Sequence, residues 1–175
     1  MSGNKNIAWG FELEFCSSLL PTIISTNLDV YFGSDNTKWT LAHDGTARGF
    51  GKMGYELRTP IFTEFPLHQL KEKLNKLIKL DASTHSRCGL HFHFSLQKGV
   101  HLNATQLEQQ LRQMKMPRHQ RQVYCNKKEG KYRPLRCVNA DDLHYEIRIF
   151  NASLKLRAIH QNWKTCNKLV NLFIL

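Results

Sequence analysis

The chain has 175 residues, 41% of them hydrophobic and 22% charged, which is the size and composition of one folded domain (1–175) and excludes a disordered chain. Apolar runs too short to cross a bilayer, no secretory signal after Met1, and five scattered cysteines without a C-x-x-C pair point to a reduced, cytoplasmic protein with no disulfide framework, zinc knuckle or membrane partner. Twenty-five Lys and Arg against fourteen Asp and Glu give a formal charge of +11, so the expected partner is anionic, either nucleic acid or nucleotide phosphate.

Residues 8–16 alternate apolar and acidic side chains with the period of a strand. The mixed segment 17–36 reads as a short helix and a loop. Residues 38–43 form the next strand, ended by the turn pair Asp44-Gly45, and Gly49, Gly51 and Gly54 lead into a third strand, 55–59, stopped by Pro60. Leu67, Leu70, Leu74, Leu77 and Ile78 recur at helical spacing within 66–80. Residues 88–96 alternate again, and a weaker helix follows at 105–114. Between 112 and 136 nine Lys and Arg side chains are opposed only by Glu129, which makes either a solvated basic loop or a phosphate-facing lid. Residues 143–150 restore strand alternation, and a long amphipathic helix is expected after Asn151. The pattern predicts an α+β fold, with five to six mainly antiparallel strands and helices packed on one face.

Residues two apart on a strand share a face. Four pairs therefore project together from their strands: Glu12 with Glu14, Glu56 with Arg58, His91 with His93, and Glu146 with Arg148. With the intervening Leu13, Leu57, Phe92 and Ile147 turned toward the helices, carboxylates, imidazoles and guanidiniums collect on the opposite face. Any one such pair is an ordinary wet sheet surface, but crowded carboxylates repel unless a cation holds them, and Mg2+ or Mn2+ prefers that oxygen-rich ligation. The H-x-H pair alone also suits a zinc hydrolase. Its third ligand would have to come from His43, His85, His101 or His144, whose spacing is uninformative. No P-loop, dinucleotide-binding glycine pattern or nucleophile elbow is present.

The ordered motifs Gly10-Phe11-Glu12-Leu13-Glu14-Phe15, Trp39 with Asp44-Gly45-Thr46, Gly54-Tyr55-Glu56-Leu57-Arg58-Thr59-Pro60, Cys88-Gly89-Leu90-His91-Phe92-His93 and Tyr145-Glu146-Ile147-Arg148-Ile149-Phe150 resemble the amidoligase family. These carboxylate–amine ligases are related to glutamine synthetase and glutamate–cysteine ligase. The resemblance implies a glutamine synthetase-like sheet curved around a cleft for ATP and divalent ions. It makes Glu12, Glu14, Glu56 and Glu146 metal ligands, with His91 or His93 as metal or phosphate ligands. Arg58 and Arg148 become phosphate contacts, Glu146 and Arg148 serve catalysis, Arg118 and Arg121 close over the nucleotide, and Asp44 positions the incoming amine. The implied reaction phosphorylates a carboxylate and lets an amine displace the phosphate, with amino acids or peptides among the candidate substrates. The competing readings are a nucleic-acid module gripping through 112–136, the zinc hydrolase, and a ligase fold that has lost activity.

Overall fold

The computed structural model describes residues 7–49, 51–116, 133–139 and 143–175. In chain order the elements are β1 (Ile7–Ser17), α1 (Pro21–Leu28), β2 (Tyr31–Phe32), β3 (Thr40–His43), β4 (Met53–Arg58), α2 (Leu67–Lys79), β5 (Gly89–Leu96), α3 (Ala104–Gln113), β6 (Leu135–Asn139), β7 (His144–Asn151) and α4 (Leu156–Leu172). The fold is α+β, with one seven-stranded sheet ordered β2-β3-β4-β1-β5-β7-β6. All neighbours run antiparallel except β2 and β3, which are parallel.

The sheet has seven strands against the five to six expected, and the two outside the five located by sequence are its edges. β2 is two exposed residues inside the mixed segment, and four of the five residues of β6 are exposed, so neither carries the alternation that marks a half-buried strand. The other strands and α2, α3 and α4 fall where the periodicity puts them, within a few residues at each end, and α1 lies in the mixed segment read as a short helix and a loop.

β1 occupies the centre of the sheet because Ile7, Trp9, Phe11, Leu13 and Phe15 all face one side and are all buried. They share one core cluster with Leu57 of β4, Phe92 of β5 and Ile147 of β7, and with Leu28, Leu74, Leu107 and Ile159 from the four helices. The ring of Phe11 alone meets Trp39, Phe62, Phe65 and Phe92 at centroid distances of 5.9–6.3 Å. At about 1.5–3 kcal/mol for each large apolar side chain buried, this layer fixes the register of β1, since a one-residue slip would bring Glu12 and Glu14 into the core. The register in turn aims the polar residues of β1, β4, β5 and β7 at the opposite face. No helix among the described residues is long and apolar enough to cross a membrane.

Candidate metal centres

Strand pairing sets the acidic side chains against one another. Glu12 lies across from Arg58 on β4 and from His91 on β5, and Glu14 lies directly across from Glu56. Like charges in directly opposed positions destabilise a sheet, so the Glu14–Glu56 pair requires compensation. On the far side of β5, His93 pairs with Glu146. There β7 carries a bulge: it advances three residues, Ile147 to Phe150, while β5 retreats two, Phe92 to Leu90. The extra residue lets Ile149 and Phe150 both stay buried and leaves Arg148 beside Glu146 on the polar face.

Two triads result. One ligand atom from each of Glu12, His91 and Glu146 lies within 4.8 Å of the others, and the same holds for Glu14, Asp44 and Glu56. Trans ligands of an ion bound at about 2.1 Å stand about 4.2 Å apart, so each group is near the size of a first coordination sphere. His91 joins them: it is 1% exposed, with Nδ1 at 3.6 Å from Glu12 and 3.5 Å from Glu146, and Nε2 at 3.6 Å from Glu14. His93 stands outside both triads, its Nε2 3.3 Å from Glu12 and 3.8 Å from Glu146.

Guanidiniums flank the carboxylates. Arg58 reaches Glu56 in a close ion pair and Glu12 at 3.3 Å, while Arg148 Nη1 donates to Glu146 at 2.7 Å. Arg136 on β6 lies 3.7 Å from the second oxygen of Glu146. Five carboxylates thus face three guanidiniums, so full ionisation leaves two negative charges that only protons or a bound cation can balance. Glu14 is anchored by the backbone N–H of Gly89, which donates to its Oε2 at 2.7 Å.

Asp44 arrives from a loop held tightly against β4. Its Oδ1 accepts from the N–H and hydroxyl of Thr46, both at 2.6 Å, which fixes the carboxylate, and its own N–H donates to the carbonyl of Gly54. A Cβ on Gly54 would sit 2.0 Å from the Asp44 carbonyl oxygen, so only glycine allows this approach. His85 and Arg87, just before β5, bind the carbonyls of Ala47 and Arg48 and pin the loop's far end.

Burial works against the Glu12 charge, yet hydrogen bonds and attraction from His91 and His93 outweigh it, and its carboxyl falls well below the usual range. Glu14 is raised by burial, which His91 and the Gly89 N–H only partly offset. Burial and the nearby Glu12 charge push Glu56 up to about 7, despite Arg58. His91 is raised: burial opposes its protonation, and Glu12, Glu14 and Glu146 overcome that opposition. Cys88, beside the Asp44 loop, is pushed up to about 12 by burial and is a thiol at neutral pH rather than a nucleophilic thiolate.

The residues fit a divalent cation. Burial holds the carboxylates of Glu14 and Glu56 protonation-prone, a cost that a bound cation would relieve, and the buried Nε2 of His93 has no hydrogen-bond partner in line. Glu12, Glu14, Glu56, Glu146, His91, His93, Arg58, Arg148 and Asp44 are all brought together, with Asp44 in the acidic triad itself rather than at its margin. Arg118 and Arg121 lie outside the described residues. Sequence reasoning missed Arg136, whose contact with Glu146 depends on the β6–β7 register. No protein-family model, no curated protein and no solved structure matches this chain.

Proposed function

We propose that this protein is an ATP-dependent carboxylate–amine ligase whose sheet is glutamine synthetase-like, with ATP and Mg2+ or Mn2+ bound over the polar face. The observation that carries the reading is the pair of acidic triads joined through His91 and flanked by Arg58, Arg136 and Arg148. Glu12, His91 and Glu146 would hold one ion and Glu14, Asp44 and Glu56 another. When bound, such ions neutralise phosphate oxygens and so lower the cost of the charge that develops as the phosphoryl group moves.

The chain's own side chains divide the remaining work. Arg148 and Arg58 present planar donors suited to bidentate contact with phosphate oxygens, and each would be available to phosphate where its carboxylate partner held an ion. The terminal phosphoryl group of ATP passes to a substrate carboxylate, releasing ADP. An amine then attacks the acyl-phosphate carbon, and phosphate leaves as the amide forms. The proton that the attacking amine must lose leaves with the departing phosphate or to solvent. Against a nucleic-acid module stands the acidic face itself, which repels a polyanion without bound cations.

The test is ADP release from ATP and Mg2+ across a panel of amino acids, peptides and amines, with mass spectrometry of condensed products. Substrate-stimulated, Mg2+-dependent ADP release with an amide product supports the ligase. Salt-sensitive DNA or RNA binding indifferent to ATP and Mg2+, with no ADP release across the panel, would overturn it.

A further inference from the structure

Outside both triads, two imidazoles meet across the β5–β7 pair. His93 lies on β5, and His144 opens β7 as the partner of Ser95, so the two histidines are diagonal neighbours. His93 Nδ1 and His144 Nε2 share a hydrogen bond of 3.1 Å, with the rings inclined at 54°. The other nitrogen of His93, Nε2, is buried and points at Glu12 and Glu146, 3.3 and 3.8 Å away.

This arrangement sorts the two ring nitrogens of His93. Nε2 faces the carboxylates of Glu12 and Glu146 and Nδ1 faces His144, with the tautomer deciding which imidazole donates between the two rings. A carboxylate behind an imidazole is also the arrangement that orients metal-ligating histidines and raises their basicity. Two imidazole nitrogens bound to zinc at about 2.0–2.1 Å stand about 3.3 Å apart at the tetrahedral angle, close to the separation found here. On the β1 side the residues opposite His93 and Ser95 are Gly10 and Ala8, which add no more than a methyl group above the sheet. His144 is partly exposed.

We propose that His93 Nδ1 and His144 Nε2 bind a nitrogen-preferring transition ion of the zinc type in place of the hydrogen bond they share, the bonding proton moving to the other nitrogen of its ring or to solvent, at a site separate from the ions of the carboxylate triads and completed by water or a substrate donor. The ligand chemistry divides the two kinds of site, because carboxylate oxygens suit magnesium and manganese whereas imidazole suits zinc and copper. The proposal stands on the histidine geometry and does not require the ligase reading.

Zinc competition against a chromophoric chelator, run on the full chain in excess Mg2+, tests it, alongside Cu2+ paramagnetic resonance. The wild type should bind one Zn2+ that Mg2+ does not displace, and its Cu2+ spectrum should carry coupling from two nitrogens. His144→Ala should weaken Zn2+ at least about tenfold and leave one coupled nitrogen, with Mg2+ binding unchanged. His144→Asn provides a second variant, and circular dichroism checks folding in both. Equal Zn2+ affinity in wild type and folded variants, or Zn2+ that Mg2+ displaces, would overturn the site. Absent Mg2+ binding alongside intact Zn2+ binding would instead count against the ligase reading.

Discussion

The two triads share a sheet face and a histidine, yet they hold their charge differently. Around Glu12, the imidazoles of His91 and His93 supply donors that keep the carboxylate ionised despite burial. Around Glu14 and Glu56 the Gly89 N–H, Arg58 and the more distant His91 favour the charged forms, and burial wins. The difference teaches that at one proposed centre Glu12 stays charged without an ion, whereas at the other Glu56 holds a proton near neutral pH that an incoming ion would have to expel.

The largest expected effect comes from the loop that completes the proton-storing centre. Gly54→Ala drives a methyl group into the Asp44 carbonyl, and urea denaturation should register a loss of about 3 kcal/mol or more. A wild-type midpoint for this variant would break the claim that close approach fixes Asp44. Next, charge removal should have opposite signs at the two centres in chelator at mildly alkaline pH. Glu12→Gln strips a charged partner from His91, His93 and Arg58 and should cost about 1–3 kcal/mol. Glu56→Gln relieves the opposed Glu14–Glu56 charges and should be neutral or stabilise by up to about 1 kcal/mol, while weakening metal binding. Equal destabilisation by both variants would erase the contrast.

pH sharpens the comparison further. The folded pKa of Glu56, about 7, lies above its ordinary value, so its contribution is fully present below the unfolded pKa and is lost as pH rises through about 7. Glu12 is depressed, so its contribution is present above the unfolded pKa and disappears only in stronger acid. Melting temperatures in chelator should therefore decline between about pH 5 and 8 relative to Glu56→Gln, and Mg2+ should reverse the trend with proton release. A pH-independent difference between wild type and variant would contradict it. The smallest effect is expected from Arg148→Lys, which keeps charge but loses the planar fork. Substrate-stimulated ADP release should fall severalfold while Mg2+ affinity changes by less than about twofold. An equal fall in both would make Arg148 a support for the metal rather than a phosphate contact.

The polar face was legible because β1, β4, β5 and β7 each bury one side, so the two-residue period separates Glu12 and Glu14 from Leu13 without knowledge of any partner strand. Cross-strand facts were not legible in the same way. That Glu14 opposes Glu56, that His91 bridges two carboxylate groups and that Arg136 reaches Glu146 all depend on register, which is set by the shared core rather than by local sequence. Asp44 carried a readable turn signal but not its destination, because the Gly54 approach is a tertiary contact. β6 escaped because an exposed edge strand needs no apolar alternation.

The central claim, two cation centres on one sheet face, is tested most directly by anomalous diffraction from crystals soaked in Mn2+ above neutral pH, where Glu56 is ionised. The account predicts two peaks, one among Glu12, His91 and Glu146 and one among Glu14, Asp44 and Glu56, with the second lost in Glu56→Gln. Crystals with no peak on this face, or with Mn2+ bound only elsewhere, would contradict it.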